Sequence, residues 1–263
     1  MSVNTIIEYL ENLFPLSNKE IWDPSGYALK ANKNKKVTAV VLAIDLTSDV
    51  YNFALENQCN LIITHHPFLF EKTKTDMLQK AEYKKQIKKG LVKNKISAYS
   101  IHTNYDFDVN GTSYQIAKAI NLSNYVISEG PRYTAIIAKK ISISDVQKLF
   151  WEYLNLSNFQ SNASDLEYKY SYCVILAGSG DIITINQLTK KYPIALFITS
   201  DVKWSDWITY KEHKIAVLAI PHLVEQVFAN HIQEILQAKF QNLKIHTYKL
   251  KIPYQNIKGS NET

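Results

Sequence analysis

Short apolar runs alternate with segments of helical periodicity along nearly the whole chain of 263 residues. The runs are rich in Val, Ile and Leu, which is typical of strands buried on both faces. The predicted strands are residues 37–44, 61–64, 96–101, 133–138, 170–177, 195–199, 215–220 and 243–250. The predicted helices are residues 3–14, 48–57, 76–89, 111–121, 144–154, 184–192, 203–213 and 222–240. Because strands that alternate with helices form βαβ units, the pattern predicts an α/β fold with mainly parallel or mixed sheets.

The two halves of the chain contain similar strand-and-turn units. Residues 61–64 precede His65-His66, and residues 196–199 precede Ser200-Asp201. The segment 121–131 is the best candidate for a boundary between two similar α/β lobes. We therefore expect lobe one at residues 1–125 and lobe two at residues 126–263, with the alternative that the final helix and strand pack back on lobe one.

The composition excludes several classes of protein. No apolar run reaches the length of about 18 residues that a transmembrane helix needs. The first residues include acidic side chains and lack the basic start of a signal peptide. Cys59 and Cys173 lie beside or within apolar runs and form no zinc-ribbon spacing, so we expect buried thiols in a reducing cytoplasm.

The formal net charge of +6 raises the question of nucleic-acid binding. Almost all of the positive charge is lysine, and Arg132 is the only arginine. Arginine is the residue that most often hydrogen-bonds to base edges and binds phosphates in a bidentate manner. Its near absence argues against a nucleic-acid partner. The lysines remain suited to attracting a nucleotide or another anionic small molecule.

The histidines fall at informative places. Four of the seven follow predicted strands, namely His65, His66, His102 and His222. The carboxyl ends of parallel strands form the ligand crevice of open α/β sheets. A single histidine after a strand is most often a loop or core residue. Three such places with suitable chemistry nearby favour a binding site instead.

Carboxylates accompany two of these histidines. Asp106 lies four residues after His102, and Glu225 lies three residues after His222, so a helix would place the second pair on one face. Adjacent His65 and His66 would point to opposite sides of an extended chain and would suit two neighbouring ions. Mixed imidazole and carboxylate ligands fit zinc, iron, manganese or cobalt without choosing among them.

These residues belong to a pattern that resembles a known family, the GTP cyclohydrolase 1 type 2 homologues, also called Ngg-interacting-factor-three-like proteins. The resemblance runs along nearly the whole chain. It rests on Trp22-Asp23-Pro24-Ser25-Gly26, Asp45-Leu46-Thr47, Asn60-Leu61-Ile62-Ile63-Thr64-His65-His66-Pro67 with Phe70, His102-Thr103-Asn104-Tyr105-Asp106, Gly178-Ser179-Gly180, Thr199-Ser200-Asp201-Val202-Lys203-Trp204, and His222 with Glu225.

The resemblance implies that two divalent metal ions per chain are bound at strand ends between the lobes. The implied ligands are His65, His66, Asp106, His222 and Glu225, with Glu225 as the bridge. His102 would be an outer ligand or a proton carrier.

The implied activity is that of a metal-dependent hydrolase acting on the guanine ring of GTP, and the implied assembly is a toroidal homohexamer. The alternative is a non-enzymatic metal-binding or scaffold protein. The chain departs from the family at Pro221, Ser200 and Ser205, where the family usually has glycine, glycine and histidine.

Overall fold

The computed structural model describes residues 1–31, 35–71, 73–127 and 130–257. The strands in this part of the chain are β1 (Gly26–Leu29), β2 (Val40–Ala43), β3 (Leu61–Thr64), β4 (Ser97–Ser100), β5 (Val126–Ile127), β6 (Thr134–Ile137), β7 (Gln160–Ser161), β8 (Tyr172–Leu176), β9 (Ala195–Thr199), β10 (Ala216–Ala219) and β11 (Ile245–Thr247). The α-helices are α1 (Val3–Leu13), α2 (Ser48–Glu56), α3 (Lys74–Lys80), α4 (Tyr83–Asn94), α5 (Thr103–Asp106), α6 (Thr112–Ala119), α7 (Ile143–Leu154), α8 (Ile182–Lys191), α9 (Trp204–Glu212) and α10 (Val227–Lys239).

The chain forms two compact units, each built on one sheet. The first contains Met1–Gly111 and Gln226–Leu250, and the second contains Thr112–Glu225 with the described residues after Leu250. The predicted α/β class with two mixed sheets is confirmed.

The first unit has the strand order β1-β4-β3-β2-β11, in which β4, β3, β2 and β11 are parallel and β1 is antiparallel to β4. Alternate residues of each central strand enter separate core clusters. Val40 and Leu42 lie with α1 and α10, whereas Val41 and Ala43 lie with α2 and α4. Burial on both faces explains why these strands are continuous apolar runs in the sequence.

The second unit has the strand order β5-β6-β8-β9-β10-β7. Its centre, β8-β9-β10, is parallel, while β6 and β7 pair antiparallel at either side. Helices α8 and α9 contribute Leu188 and Tyr210 to a core with Phe197 and Val217 of the central strands. A capping box formed by Ser142 and Asp145 starts α7.

The division into units differs from the predicted boundary between residues 125 and 126. Helix α6 belongs to the second unit because it packs against β6 and β8. The chain returns to the first unit at Gln226, because α10 packs against β2 and β11. Within the predicted boundary segment 121–131, residues 128 and 129 lie outside the described residues.

Several local features differ from the sequence prediction, among them the short elements β5, β7 and α5, which were not predicted. The helix predicted over residues 76–89 is two helices, α3 and α4, because Ala81 leaves helical geometry at φ −151° and ends the first of them. Strand β1 was not predicted, since Gly26–Leu29 is short and lies at an antiparallel edge with a register shift between Tyr27 and Leu29.

None of the helices found in the described residues combines the length and the apolar character that a membrane span requires.

Candidate metal centre

Strand register brings the chemistry-bearing residues of the first unit to one edge of its sheet. Thr64 at the end of β3 pairs with Ala43 of β2 on one side and with Ser100 of β4 on the other. All three parallel strands therefore end at the same level. The residues that follow them include Asp45, His65, His66 and His102, as expected for the carboxyl edge of a parallel sheet.

The three histidines of this edge form one compact cluster. His65, His66 and His102 each offer a ring nitrogen within 4.8 Å of the others, a spacing at which they could hold a metal ion. Their ring centroids lie 4.9 to 5.4 Å apart. His65 is fully buried, and the other two are half-buried. We call this group the imidazole cluster.

The arrangement of His65 and His66 differs from the expectation that they face opposite sides. The chain bends at both residues instead of continuing the extended strand. Side-chain alternation holds only along an extended chain, so it ends at Thr64. The two imidazoles are therefore neighbours, with 44° between their ring planes.

Each imidazole of the cluster has its Nδ1 atom beside an oxygen. Nδ1 of His65 lies 3.0 Å from the Ile101 carbonyl oxygen, and Nδ1 of His66 lies 2.9 Å from Asp45 Oδ1. Nδ1 of His102 lies 3.3 Å from Asp23 Oδ1. When Nδ1–H donates to an oxygen, the tautomer is set and Nε2 keeps its lone pair for a metal. The Ile101 carbonyl and the Asp45 carboxylate thus fix the ring orientations of His65 and His66.

Asp106 places a carboxylate beside His65 in the same unit. It ends the short helix α5, which begins directly after His102. Asp106 Oδ1 lies 3.6 Å from His65 Nε2. Two ligands held tetrahedrally at about 2.1 Å from one ion are about 3.4 Å apart, so this separation fits two ligands of a shared ion.

Asp23 is the buried anchor of this region. It accepts hydrogen bonds from the backbone N–H and hydroxyl of Ser25 and from the backbone N–H and hydroxyl of Thr103. Burial alone would raise the pKa of Asp23, but the hydrogen bonds and the adjacent His102 hold that pKa well below its usual range. Asp23 therefore stays a carboxylate beside the His102 ring.

The second unit brings an imidazole and two carboxylates together. Ala219 of β10 pairs with Thr199 of β9, so Asp201 and His222 follow strands that end at the same level. His222 Nδ1 lies 2.6 Å from Asp201 Oδ2, and His222 Nε2 lies 3.0 Å from Glu225 Oε2. Residues His222–Gln226 form a 3₁₀-helix, in which side chains three apart eclipse each other. The three-residue spacing thus places the imidazole and the carboxylate together.

His222 carries a strongly shifted pKa. Burial on its own would lower the pKa of His222, but hydrogen bonds to Asp201 and Glu225 and the negative charges of both raise it to about 11. The site is therefore rich in negative charge. A divalent cation replacing the imidazolium proton would meet the same two carboxylates.

Gly178 makes room for Glu225. It follows β8 with φ +69°, and a Cβ atom added there would lie 3.3 Å from Glu225 Oε1. Its carbonyl oxygen accepts hydrogen bonds from the Thr199 hydroxyl and the Ser200 backbone N–H. Residues 178–180, which belong to the family pattern, thus form a turn against which the Glu225 carboxylate lies.

We expect Gly178→Ala to reduce the free energy of unfolding by about 1 kcal/mol, because a side chain at positive φ is strained. It should also weaken metal binding, since the new methyl group presses on Glu225. Urea denaturation and a zinc titration measure the two effects. Gly26→Ala is the control, because its φ is also positive while its Cβ would meet only Leu16 Cδ1 at 3.6 Å. Equal metal affinity in both variants would contradict the contact with Glu225.

Sequence reasoning missed the partners that orient the histidines. Asp23 and Asp45 enter the sequence analysis only through the family pattern, and Asp201 only through that pattern and a strand-and-turn unit. Asp45 and Asp201 follow parallel strands, as the histidines do. This position could have indicated both of them as residues of the site.

The donor set fits divalent metal. Neutral imidazole Nε2 atoms with oriented Nδ1 atoms and nearby carboxylates are the ligands that zinc, iron, manganese and cobalt share. The buried histidine and glutamate groups could hold a metal ion. The chemistry of the ligands leaves the choice among these metals open.

Comparison with known proteins identifies the family of the chain. The family model described as Duf34/NIF3 (NGG1p interacting factor 3) matches residues 1–253. A relative from Mycoplasmopsis pulmonis, named GTP cyclohydrolase 1 type 2 homolog, is 36% identical over 249 residues, covering 92% of this chain and 96% of the relative. A relative of the same name from Ureaplasma parvum is 30% identical over 240 residues, covering 90% of each chain.

Solved structures show the same fold. A hypothetical protein of Staphylococcus aureus superposes with a TM-score of 0.85 at 23% identity, covering 98% of this chain and 99% of that one. A Bacillus cereus protein described as related to NIF3 gives a TM-score of 0.81 at 18% identity, with 98% and 99% covered. The match along residues 1–253 and the identity to curated relatives together show that this chain belongs to the Duf34/NIF3 (NGG1p interacting factor 3) family.

Proposed function

We propose that the protein is a dinuclear divalent-metal hydrolase that acts on a nucleotide or a related anionic small molecule. The observation that carries the proposal is the imidazole cluster, in which His65, His66 and His102 each offer a ring nitrogen within 4.8 Å of the others. The Nδ1 atoms of His65 and His66 also lie at hydrogen-bond distance from oxygens that orient the two rings. The ligands we propose are His65, His66 and Asp106 from the first unit and His222 and Glu225 from the second.

Two divalent ions supply Lewis-acid stabilisation of anionic oxygen and make water more acidic at neutral pH. The residues of the chain supply the rest. Asp45 and Asp201 hold the rings of His66 and His222 through their Nδ1 atoms, which keeps the ligand geometry ready before an ion arrives. Glu225 is buried and would offset the repulsion between two cations as a shared ligand.

His102 is the residue that we propose to move a proton. The Asp23 carboxylate lies 3.3 Å from its Nδ1 atom and would stabilise the protonated ring while the ring carries the proton. An imidazole is suited to this exchange near neutral pH. The substrate class is supported by the names of the two relatives, which refer to a GTP cyclohydrolase. The lysine-rich charge of the chain also favours an anionic substrate.

The test of this proposal is turnover by metal-loaded protein. Protein reconstituted with zinc, manganese or iron is incubated with GTP, and ring opening is followed by formate release and by loss of the guanine absorbance. We expect turnover that stops on chelation and that His102→Ala reduces by about 100-fold or more. Full metal occupancy without turnover of GTP or related nucleotides would contradict the hydrolase and leave the non-enzymatic metal-binding alternative.

We also propose a homohexamer in the cytoplasm. The proposal is supported by large apolar side chains on the surface of the second unit, of which Trp204 is 80% exposed and Ile183 is 63% exposed. Such side chains are stabilised when a second copy covers them. Light scattering at working concentrations should give six chains of 30.2 kDa each. A mass of one chain across the same concentrations would reject the assembly.

A further inference from the structure

Two large aromatic side chains stand exposed beside the imidazole cluster. Trp22 is 60% exposed and Phe70 is 48% exposed. Their ring centroids lie 6.0 Å apart, and each ring also lies beside His102, at 6.0 Å for Trp22 and 6.3 Å for Phe70. We call Trp22 and Phe70 the aromatic rim. An exposed tryptophan leaves a large apolar face in water, which is costly unless something covers that face.

Buried neighbours hold Trp22 in place. The next residue, Asp23, is 2% exposed and accepts hydrogen bonds from Ser25 and Thr103. The backbone at Trp22 is therefore fixed on one side by a buried carboxylate network. Backbone anchored in this way loses little freedom when a ligand binds, which favours affinity.

Phe70 is held in a similar way. It precedes Glu71, whose carboxylate lies 2.7 Å from Lys84 Nζ, and both side chains of this ion pair are only 12% exposed. Lys84 Nζ also lies 5.8 Å from the ring centroid of Phe68, two residues earlier. Both members of the aromatic rim are thus presented by anchored backbone beside the cluster.

The geometry of the rim limits how a ligand could bind. The two rings are inclined by 52°. Aromatic rings in contact have centroids about 4.5–7 Å apart, so Trp22 and Phe70 already touch and leave no room for a ring between them. A ligand ring would stack on the outer face of Trp22, with Phe70 at its edge. Stacking on an aromatic side chain accepts any planar ring, because every such ring has a π-face.

We propose that the aromatic rim is the recognition platform for a planar heteroaromatic ring of the substrate, which stacks on Trp22 and is thereby placed beside His102. This assignment deepens the proposed function and rests on it for the role of the cluster. A hydrolase with only metal ligands would bind the anionic part of a substrate. The rim adds a contact for the ring itself and makes Trp22 and Phe70 specificity-determining residues.

A surface contact between copies of the chain is the rival use of this patch. Ile21, beside Trp22, is fully exposed and aliphatic. The test must therefore separate ring binding from assembly. The test must also separate ring binding and assembly from metal content, because the proposed function depends on bound metal and turnover.

The experiment compares guanosine 5′-monophosphate with ribose 5-phosphate, which carries the same phosphate and sugar without the ring. Both are titrated by calorimetry into metal-loaded wild type, Trp22→Ala, Trp22→Phe and the control Trp151→Ala, which removes from α7 a tryptophan that is 60% exposed, like Trp22. We expect Trp22→Ala to weaken the guanosine ligand about tenfold and Trp22→Phe to retain most of the affinity. Ribose 5-phosphate should bind all four proteins alike, and Trp151→Ala should match wild type.

Several outcomes would overturn the platform. They are no measurable binding of the guanosine ligand to wild type, an unchanged affinity in Trp22→Ala, an equal loss for ribose 5-phosphate, or a changed mass of Trp22→Ala in light scattering. Metal content is measured on the same samples. Ring binding that depends on Trp22 in protein that takes up no metal would support the platform while the proposed hydrolase fails, so the two failures are distinguishable.

Discussion

Glu225→Gln should weaken both metal ions together, by about 100-fold or more in affinity at each. The substitution keeps the size of the side chain but removes the negative charge that a bridge shares between two cations. Coulomb repulsion at short range then opposes double occupancy, and more strongly because Glu225 is buried. Titration with zinc, monitored by a competing chelator, measures both affinities in one experiment.

Two comparisons make this prediction specific. His65→Ala should weaken one ion far more than the other, because an imidazole nitrogen serves a single ion. Glu212→Gln removes an equivalent charge from α9 of the same unit and should leave both affinities unchanged. Wild-type stoichiometry and affinity in Glu225→Gln would place this residue outside the site, and Asp201, which already contacts His222, would become the candidate acid.

The affinity for metal should rise steeply with pH, by about 100-fold between pH 7 and pH 9. Metal binds neutral imidazole, whereas the raised pKa of His222, about 11, keeps it protonated in the metal-free protein over this range. Each pH unit below that pKa costs about tenfold in apparent affinity. Histidines with an ordinary pKa near 6.5 are already neutral above pH 7 and add little to the slope.

The pH dependence of the stability of the metal-free protein can be distinguished from the pH dependence of its metal affinity, because the two have opposite signs. A folded pKa above the unfolded value means that the ion pairs of His222 stabilise the metal-free protein fully below about pH 6.5. That stability is lost as the pH rises through about 11. Weaker binding at pH 7 than at pH 9 therefore cannot come from loss of the fold. The control His213→Ala should keep the slope, and a pH-independent affinity in wild type would contradict the assigned role of His222.

The parts of the fold that the sequence predicts are those with a strong local signal. The β-branched runs at Val40–Ala43, Leu61–Thr64 and Ala195–Thr199 are fully buried central strands, and burial on both faces is what makes them apolar throughout. Because strands of this kind were predicted, the positions of His65, His102 and His222 after strands were predicted as well. Strand β1 was not predicted, because an antiparallel edge strand needs few apolar residues.

The finer geometry of the site depends on long-range contacts that leave little trace in sequence. Asp23 meets Thr103 across 80 residues, through a network of hydrogen bonds in a loop. The bend at His65 and His66 ends side-chain alternation one residue earlier than a strand pattern would indicate. The pair of His222 and Glu225 was predictable, because a spacing of three shares a face in an α-helix and in the observed 3₁₀-helix alike.

The central claim is that the oriented histidines and carboxylates are metal ligands, and metal content tests it most directly. Protein purified without chelators, and protein reconstituted with zinc, manganese, iron or cobalt, is analysed for metal per chain by mass spectrometry of the elements. We predict roughly two divalent ions per chain in wild type and a loss of metal in His66→Ala and His222→Ala. Protein that carries no divalent metal and takes none up on reconstitution would contradict the account.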